Sequence, residues 1–337
     1  MIRLQRILKY EFWPFWLFYV PGYINWARLA ILARYTTYFT TTNPMMNNSG
    51  AFNVSKFDYL SKLPKEWIPM SVKITAAIDS KSLISVLNEN KLFFPLIVKP
   101  DRGERGKGVQ LVSSLKALKK IIHASPYDEL LLQSYCSYPN EAGILYYRYP
   151  NETSGRISSI TTKEFSVVTG DGSSTWGKLI EGNVRLKHRL KTLKERHADC
   201  WNCQSVNEEQ KLVEPIGSHN LGTKFMNGQH LGSQQLTAYI DHWADQLPGF
   251  YYGRFDIKYT TWEALLTGKE FKIIEINGVN AEPAHIYDPN HTIAKAYRDI
   301  FSHMKIIHQI SLQNRSLGIA PKRLKPFLTE LIQTATQ

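Results

Sequence analysis

The segment GRFDIKY (residues 253–259) carries charged side chains inside an apolar run, and EFKIIEINGV (residues 270–279) repeats this pattern. Alternate residues of a strand share a face, so Arg254 and Asp256 lie on the same side of the first segment. Burying a carboxylate among apolar side chains is costly unless it is paired or bound to a metal. The pattern therefore predicts two neighbouring strands that present charged groups to one site.

Oxygen donors converge if these two strands pair. Glu275 and Asn277 share a face of the second strand by the same alternation. Carboxylate and amide oxygens are ligands that Mg²⁺ takes, with phosphate oxygens and water completing its octahedron. We therefore predict that Asp256, Glu275 and Asn277 bind Mg²⁺. The alternative is a set of surface carboxylates on a hairpin.

A glycine-rich loop lies in a second stretch, FPLIVKPDRGERGKGVQLV (residues 94–112), between two more predicted strands. Glycines let backbone N–H groups approach an anion closely. Lys99, at the end of the first strand, adds a positive charge at the same place. The loop therefore suits a polyphosphate, although a solvated hairpin can have the same composition. It is neither a Walker nor a Rossmann loop, because it leads into a strand instead of a helix.

Composition limits the class of protein and its partners. The chain has 337 residues, 43% of them hydrophobic, which is enough for two or three lobes with packed cores. Its net charge of +12 favours an anionic partner or a basic solvated surface. No nucleic-acid motif is recognised, so we expect no nucleic-acid partner. Three cysteines make no disulfide framework, which favours the cytoplasm, and the single CxxC at Cys200 and Cys203 is a weak zinc signal.

The N-terminal stretch YEFWPFWLFYVPGYINWA (residues 10–27) is dense in aromatic residues and has no charge between Glu11 and Arg28. It is shorter than the roughly 20 apolar residues that cross a bilayer, so a true span is the least favoured interpretation. Aromatic side chains prefer the headgroup region, and flanking basic residues favour anionic lipid. Two interpretations stay open: peripheral contact with the inner membrane face, and packing against this chain or a partner.

Strands alternate with helices from about residue 71, which predicts an α+β fold. We divide the chain into four parts. These are an aromatic-rich, mainly helical N-terminal segment (1–70), a lobe with the phosphate-binding loop (71–140), a lobe with the Mg²⁺ and substrate site (141–312) and a C-terminal tail (313–337).

The order of these features resembles the ATP-grasp superfamily, in particular D-alanine–D-alanine ligases and cyanophycin synthetase, over about residues 75–310. The resemblance implies two α+β lobes that clamp ATP. It also implies an ATP- and Mg²⁺-dependent ligase that joins a carboxylate to an amine, or to a thiol, through an acyl phosphate. The alternatives are an ATP-grasp kinase with a stable phosphorylated product and a nucleotide-binding membrane adaptor.

The resemblance also implies cofactors and roles for individual residues. ATP and one or two Mg²⁺ ions would be the cofactors. Lys99 and Lys163 would contact phosphates, and Arg254 would steady the acyl phosphate, so these three are the predicted catalytic residues. Glu141 would bind the ribose hydroxyls, and the hinge at 133–137 would read adenine. The residues implied in nucleotide binding are Lys99, Arg102, Gly103, Gly106, Lys107, Gly108, Gln133, Tyr135, Glu141 and Lys163.

Two departures from the family pattern leave the substrates open. The first 70 residues lack the βαβ rhythm of the usual substrate-binding domain, and EINGVNAEP lacks the glycine that follows proline in related enzymes. The resemblance therefore implies only the class of the partners, a small-molecule or lipid-linked carboxylate and an amine. VVTGDGSSTWGKLI (residues 167–180) is similar to an element of peptide ligases, or is a turn followed by a helix cap. His219, Asn220 and Lys224 are candidates for the acyl-phosphate end.

Overall fold

The computed structural model describes residues 9–103 and 106–336. The basic residues before residue 9 and residues 104–105 of the predicted phosphate loop lie outside this part of the chain. The helices are α1 (Phe15–Phe18), α2 (Val20–Ala33), α3 (Lys56–Leu60), α4 (Ser80–Glu89), α5 (Leu115–His123), α6 (Trp176–Gly182), α7 (Leu190–Arg196), α8 (Gln234–Asp245), α9 (Trp262–Leu266), α10 (Ile293–Ser316) and α11 (Leu324–Thr336).

The strands form antiparallel sheets, so the predicted α+β class is confirmed. They are β1 (Ser71–Thr75), β2 (Leu96–Pro100), β3 (Gln110–Val112), β4 (Glu129–Ser134), β5 (Asn140–Tyr147), β6 (Arg156–Glu164), β7 (Ser166–Thr169), β8 (Gln210–Glu214), β9 (Lys224–Asn227), β10 (Tyr252–Tyr259) and β11 (Phe271–Asn277).

The first lobe is a four-stranded sheet in the order β1-β4-β2-β3, packed against α4 and α5. Helix α5 begins where the Ser114 hydroxyl accepts the N–H of Ala117, which is the expected N-cap. Its buried Leu118 and Ile122, four residues apart, face the sheet and join the core of the lobe. The core holds β2 rigid, so Lys99 near its end is presented from a fixed position.

The second lobe is built on a five-stranded sheet in the order β11-β10-β5-β6-β9. Strand β10 pairs with β11 as predicted, with Arg254 opposite Asn277 and Asp256 opposite Glu275. Helix α8 covers the other face of this sheet, where Trp243 packs against Phe271 with ring centroids 5.0 Å apart. The charged face is therefore supported from behind by an aromatic core.

A small unit that we did not predict lies between β6 and β9. It contains the two-stranded β7–β8 sheet, α6 and α7, with its own core around Trp176 and Ile180. The carboxylate of Asp171 accepts the N–H groups of Ser173 and Ser174, and Thr175 caps α6. Residues 167–180 thus contain the predicted turn followed by a helix cap, whereas their similarity to an element of peptide ligases remains a prediction.

The N-terminal segment packs on the long helix α10 with one face and exposes the other. Phe18 is 2% exposed and contacts a cluster that includes Ile286 and Ile300. In contrast, Trp16 and Ile24 are 65% and 68% exposed. Within the described ranges, no helix is long and apolar enough to cross a membrane. Internal packing thus accounts for one set of aromatic residues of this segment and leaves an outward apolar face.

Phe18→Ala should destabilise the fold by about 3–5 kcal/mol, because it leaves a cavity in a packed aromatic cluster. The matched control Ile24→Ala removes an exposed apolar side chain of the same segment and should change stability by less than about 0.5 kcal/mol. Urea unfolding measures both. Equal effects of the two substitutions would mean that this segment is not docked as described.

Candidate active site

A cavity of about 770 Å³ lies where the two lobes and the N-terminal segment meet. Twelve of the residues predicted from the sequence line it: Lys99, Gly103, Gly106, Lys107, Gln133, Tyr135, Glu141, Lys163, Arg254, Asp256, Glu275 and Asn277. Two predicted nucleotide-binding residues, Arg102 and Gly108, are not part of the lining. The fold therefore brings residues from 99 to 277 to one place.

Lys99 connects the two lobes. Its ammonium group lies 3.1 Å from the Gln133 amide oxygen and 3.2 Å from the carbonyl oxygen of Ile274 in β11. Ile274 is the extra residue at a β-bulge, because Asp256 pairs with Glu275 while the next residue of β10 pairs with Ile273. Burial lowers the pKa of Lys99 to about 8, against the opposing effect of Glu275.

Asp256 is the centre of a buried ion-pair network. Arg254 binds it with two hydrogen bonds of 3.0 Å, from Nε to Oδ1 and from Nη2 to Oδ2. The Asn277 amide donates to Oδ2 at 3.0 Å, and Lys163 lies 3.6 Å from Oδ1. Burial would raise the pKa of Asp256, but Arg254 and Lys163 hold it below its ordinary value. The carboxylate is therefore ionised and neutralised at neutral pH.

Lys163 links this network to Glu141. Its ammonium group donates to Glu141 Oε1 at 2.6 Å, and both side chains are at least 90% buried. Burial would lower the pKa of Lys163, but Asp256 and Glu141 raise it above its ordinary value. Lys163 thus keeps its charge in the cavity, whereas Lys99 is close to losing its own.

Two glycines make room for the network. A Cβ at Gly143 would lie 2.9 Å from both Arg254 Cδ and Asp256 Oδ1. A Cβ at Gly217 would lie 2.5 Å from Glu141 Oε1. Such contacts are too short, so larger residues there would displace the charged groups.

The described part of the glycine-rich loop reaches the second lobe. Gly106 has a φ of +74°, and a Cβ there would lie 3.0 Å from the Ser218 hydroxyl oxygen. Gly108 also has a positive φ and lies against Pro100. Arg102 is turned outward, where its guanidinium donates to the Asn53 carbonyl at 2.7 Å. The nucleotide-binding roles of these residues remain predictions.

The hinge residues have distinct surroundings. The Gln133 amide donates to Ser71 Oγ at 2.9 Å and accepts from Lys99, so this side chain positions the lysine. Tyr135 follows β4 and lies with its ring centroid 5.9 Å from the Lys258 ammonium group. The adenine-reading role of this hinge remains a prediction.

Besides Glu11, sequence reasoning missed three charged residues of the cavity. Lys56, the first residue of α3, donates to the Gly103 carbonyl and lies far from the motifs in sequence. Lys258 donates to the Tyr138 carbonyl at 3.0 Å, and burial lowers its pKa. Strand alternation after Arg254 and Asp256 could have found Lys258, whereas no sequence pattern indicates Lys56. The third residue, Glu282, accepts the Tyr287 hydroxyl at 2.9 Å.

The remaining candidates separate into two groups. His219 and Asn220 line the cavity. Lys224 instead pairs with Glu164 at 2.9 Å on the surface. The two cysteines at 200 and 203 belong to the small unit, and among the described residues no group of potential metal ligands includes them.

One wall of the cavity is aromatic. It comes from the N-terminal segment and the loop after it, and its members are Tyr10, Trp13, Phe15, Phe18, Tyr19, Trp26, Tyr38 and Phe39. Phe15 and Trp26 are also 37% and 36% exposed. The aromatic wall therefore continues from the cavity to the outer apolar face of the N-terminal segment.

No protein-family model matches the chain, and no curated protein is similar to it. Among solved structures, VanG D-Ala:D-Ser ligase from Enterococcus faecalis is 14% identical with a TM-score of 0.42, covering 81% of this chain and 64% of that one. D-alanine–D-alanine ligase from Bacillus anthracis, complexed with ATP, is 13% identical with a TM-score of 0.41, covering 75% and 64%. A bifunctional glutathione synthetase from Pasteurella multocida is 12% identical with a TM-score of 0.36, covering 70% and 34%. This chain spans less than two thirds of each of these proteins.

If the cavity binds a polyphosphate, as the sequence predicts, the pKa of Lys99 makes that binding dependent on pH. A phosphate anion favours the charged lysine, so affinity for ATP should be highest below pH 8 and fall by up to ~10-fold per pH unit above it. Lys99→Met should bind ATP about 1–3 kcal/mol more weakly at pH 7 and lose this dependence. Calorimetry between pH 7 and 9.5 measures both effects. Lys258→Met is the matched control; if it alone removed the pH dependence, Lys99 would not be the phosphate ligand.

Proposed function

We propose that this chain is an ATP-grasp enzyme that binds Mg·ATP between its lobes and ligates a carboxylate to an amine. One observation carries the proposal: the cations Lys99, Lys163 and Arg254 line the same cavity as the facing carboxylates Asp256 and Glu275. A nucleotide-binding adaptor needs only the phosphate-binding cations. The metal-binding carboxylates beside an arginine favour phosphoryl transfer.

The donor set fits Mg²⁺. Asp256 and Glu275 lie opposite each other, and Asn277 adds an amide oxygen from the same strand as Glu275. The side chain of Glu275 makes no hydrogen bond or ion pair within the described ranges, although its charge raises the pKa of Lys99. Its carboxylate oxygens are therefore available in this part of the structure. These three residues would hold one or two Mg²⁺ ions, which neutralise phosphate charge when bound.

The charged side chains of the cavity have separate roles in the proposed reaction. Lys99 and Lys163 attract the phosphates, and Arg254 stabilises negative charge on the transferring group. A carboxylate oxygen of the acid substrate attacks the γ-phosphorus, and ADP leaves. The amine next attacks the acyl carbon, and phosphate leaves while the amine loses a proton. Closure of the glycine-rich loop against Ser218 excludes water that would hydrolyse the acyl phosphate.

We further propose that the acid or the amine is amphipathic, such as a lipid-linked carboxylate, and that the enzyme takes it from a membrane surface. The aromatic wall supports this, because apolar groups bind favourably against aromatic side chains. The outward face of the N-terminal segment supports it too, since Trp16, Ile24 and Ile31 are more than 60% exposed. Such a face beside basic residues suits anionic lipid.

Phosphate balance tests the reaction. Purified protein with Mg·ATP, screened against amino acids, peptides and lipid-linked acids, should release ADP and free phosphate in equal amounts only when acid and amine are both present. ADP formed without free phosphate, with the phosphoryl group retained in a stable product, would establish the kinase instead. Absence of turnover with every pair would favour the adaptor.

Glu275→Gln tests the metal ligands. It should lower ATP turnover by about 10²-fold or more, because a neutral amide replaces a charged ligand where phosphate charge is neutralised. Glu263→Gln, on the exposed surface of α9, is the matched control and should keep the parent rate. Thermal unfolding midpoints should not change in either variant. Parent activity of Glu275→Gln at millimolar Mg²⁺ would remove this residue from the site.

Flotation with phosphatidylglycerol-containing vesicles tests the membrane contact. The full chain should float at low salt and float less at high salt, because apolar burial and charge attraction act together. Trp16→Ser combined with Ile24→Ser should abolish flotation. Phe93→Ser combined with Val206→Ser removes two equally exposed apolar residues elsewhere and should have no effect. Protein that stays at the bottom of the gradient at low salt would exclude membrane docking.

A further inference from the structure

Two histidines and an aspartate converge beside the cavity, at the start of α10. His285 Nε2 lies 3.1 Å from Asp299 Oδ2, and His291 Nε2 lies 3.2 Å from the same oxygen. The three ligand atoms all lie within 4.8 Å of one another. The side chains of His285, His291 and Asp299 are 1%, 10% and 19% exposed. The reaction proposed above uses none of them.

These distances match the spacing of ligands around a small metal ion. Metal–ligand distances of about 2.0–2.1 Å in a tetrahedral site correspond to ligand–ligand distances of about 3.3–3.4 Å. Both nitrogen–oxygen distances are within about 0.3 Å of that value. Two imidazoles with one carboxylate are borderline ligands that suit Zn²⁺ and neighbouring divalent transition metals better than Mg²⁺.

A buried serine beside His285 orients its imidazole in the way that a metal ligand requires. Ser159 Oγ in β6 lies 2.7 Å from His285 Nδ1, and Ser159 is 1% exposed. When Nε2 binds a metal, Nδ1 carries the proton and donates it to such an outer partner, which fixes the ring. The backbone also holds His291, whose N–H bonds the Asp288 carbonyl at 2.9 Å.

Two other interpretations of the cluster differ in what they predict. The order Ser159–His285–Asp299 has the connectivity of a nucleophile relay, but Ser159 is 1% exposed and does not line the cavity of the proposed reaction. A plain hydrogen-bond network, in which each imidazole donates one N–H to Asp299, needs no ion and would bind none tightly.

We propose that His285, His291 and Asp299 bind one divalent transition-metal ion, Zn²⁺ by ligand type, as a structural clamp. Residues 278–284 and Tyr287 line the cavity directly after the proposed Mg²⁺ strand. His285 lies within this segment, next to the lining residue Ala284. Asp299 belongs to α10, and His291 to the turn between them. The ion would thus fasten the cavity wall to the long helix. This inference does not depend on the proposed ligase reaction.

Cobalt(II) is the probe, because it takes zinc sites and its visible absorption reports tetrahedral geometry. Chelator-stripped full chain should take up one equivalent of Co²⁺ with that absorption, and Zn²⁺ should displace it. The thermal unfolding midpoint should rise when Zn²⁺ is added, since the ion binds the folded state. His291→Ala should weaken Co²⁺ binding at least ~10-fold. His230→Ala, at an exposed histidine, is the matched control.

His285 is buried, so its substitution could unfold the protein, and Asp299→Asn serves as the second variant. It should fold without metal and also weaken Co²⁺ binding. Three outcomes would overturn the proposal: no Co²⁺ absorption in the parent chain, binding that survives His291→Ala, or absorption with sulfur charge-transfer bands that disappears in Cys200→Ser with Cys203→Ser.

Discussion

The buried carboxylate of Asp256 is the group on which the rest of the cavity depends. An ionised carboxylate in this position is stable only because Arg254 and Lys163 neutralise it and Asn277 satisfies an oxygen. Lys163 in turn requires Glu141, and Glu141 requires the absence of a side chain at Gly217. Removing any one partner leaves a buried charge uncompensated, which is more costly than losing the pair.

The cost of burying a charge also explains how Lys99 connects the two lobes. Lys99 crosses from the first lobe to a carbonyl that a β-bulge in the second lobe leaves free, and burial lowers its pKa to about 8. A lysine held this way is poorly compensated in the described protein and gains most from a polyphosphate beside it. The cavity therefore combines one fully paired network with one under-compensated cation, and we infer that the nucleotide binds at the latter. The aromatic wall of the same cavity instead offers contacts to apolar groups.

Local sequence patterns explain which parts of the fold and of the cavity could be predicted. Strand alternation placed Arg254, Asp256, Glu275 and Asn277 on shared faces, and the pairing of β10 with β11 follows from that period. The surroundings of Gln133 and Lys56 were not predictable, because they depend on contacts between residues 34 or more positions apart. The environment of the N-terminal segment could not be predicted, because aromatic side chains suit both a protein core and a lipid surface. One face of this segment is buried in the protein, and the other is exposed.

Amide hydrogen exchange with a non-hydrolysable ATP analogue tests the central claim most directly, because it locates the bound nucleotide on the chain. In the presence of Mg²⁺ and the analogue, exchange should slow in the glycine-rich loop (residues 101–109), the hinge (133–137) and β11, and should not change in β7 and β8. Omitting Mg²⁺ should remove most of the protection in β11. Absence of protection in the loop and β11, or protection confined to the small unit, would contradict a nucleotide site between the lobes.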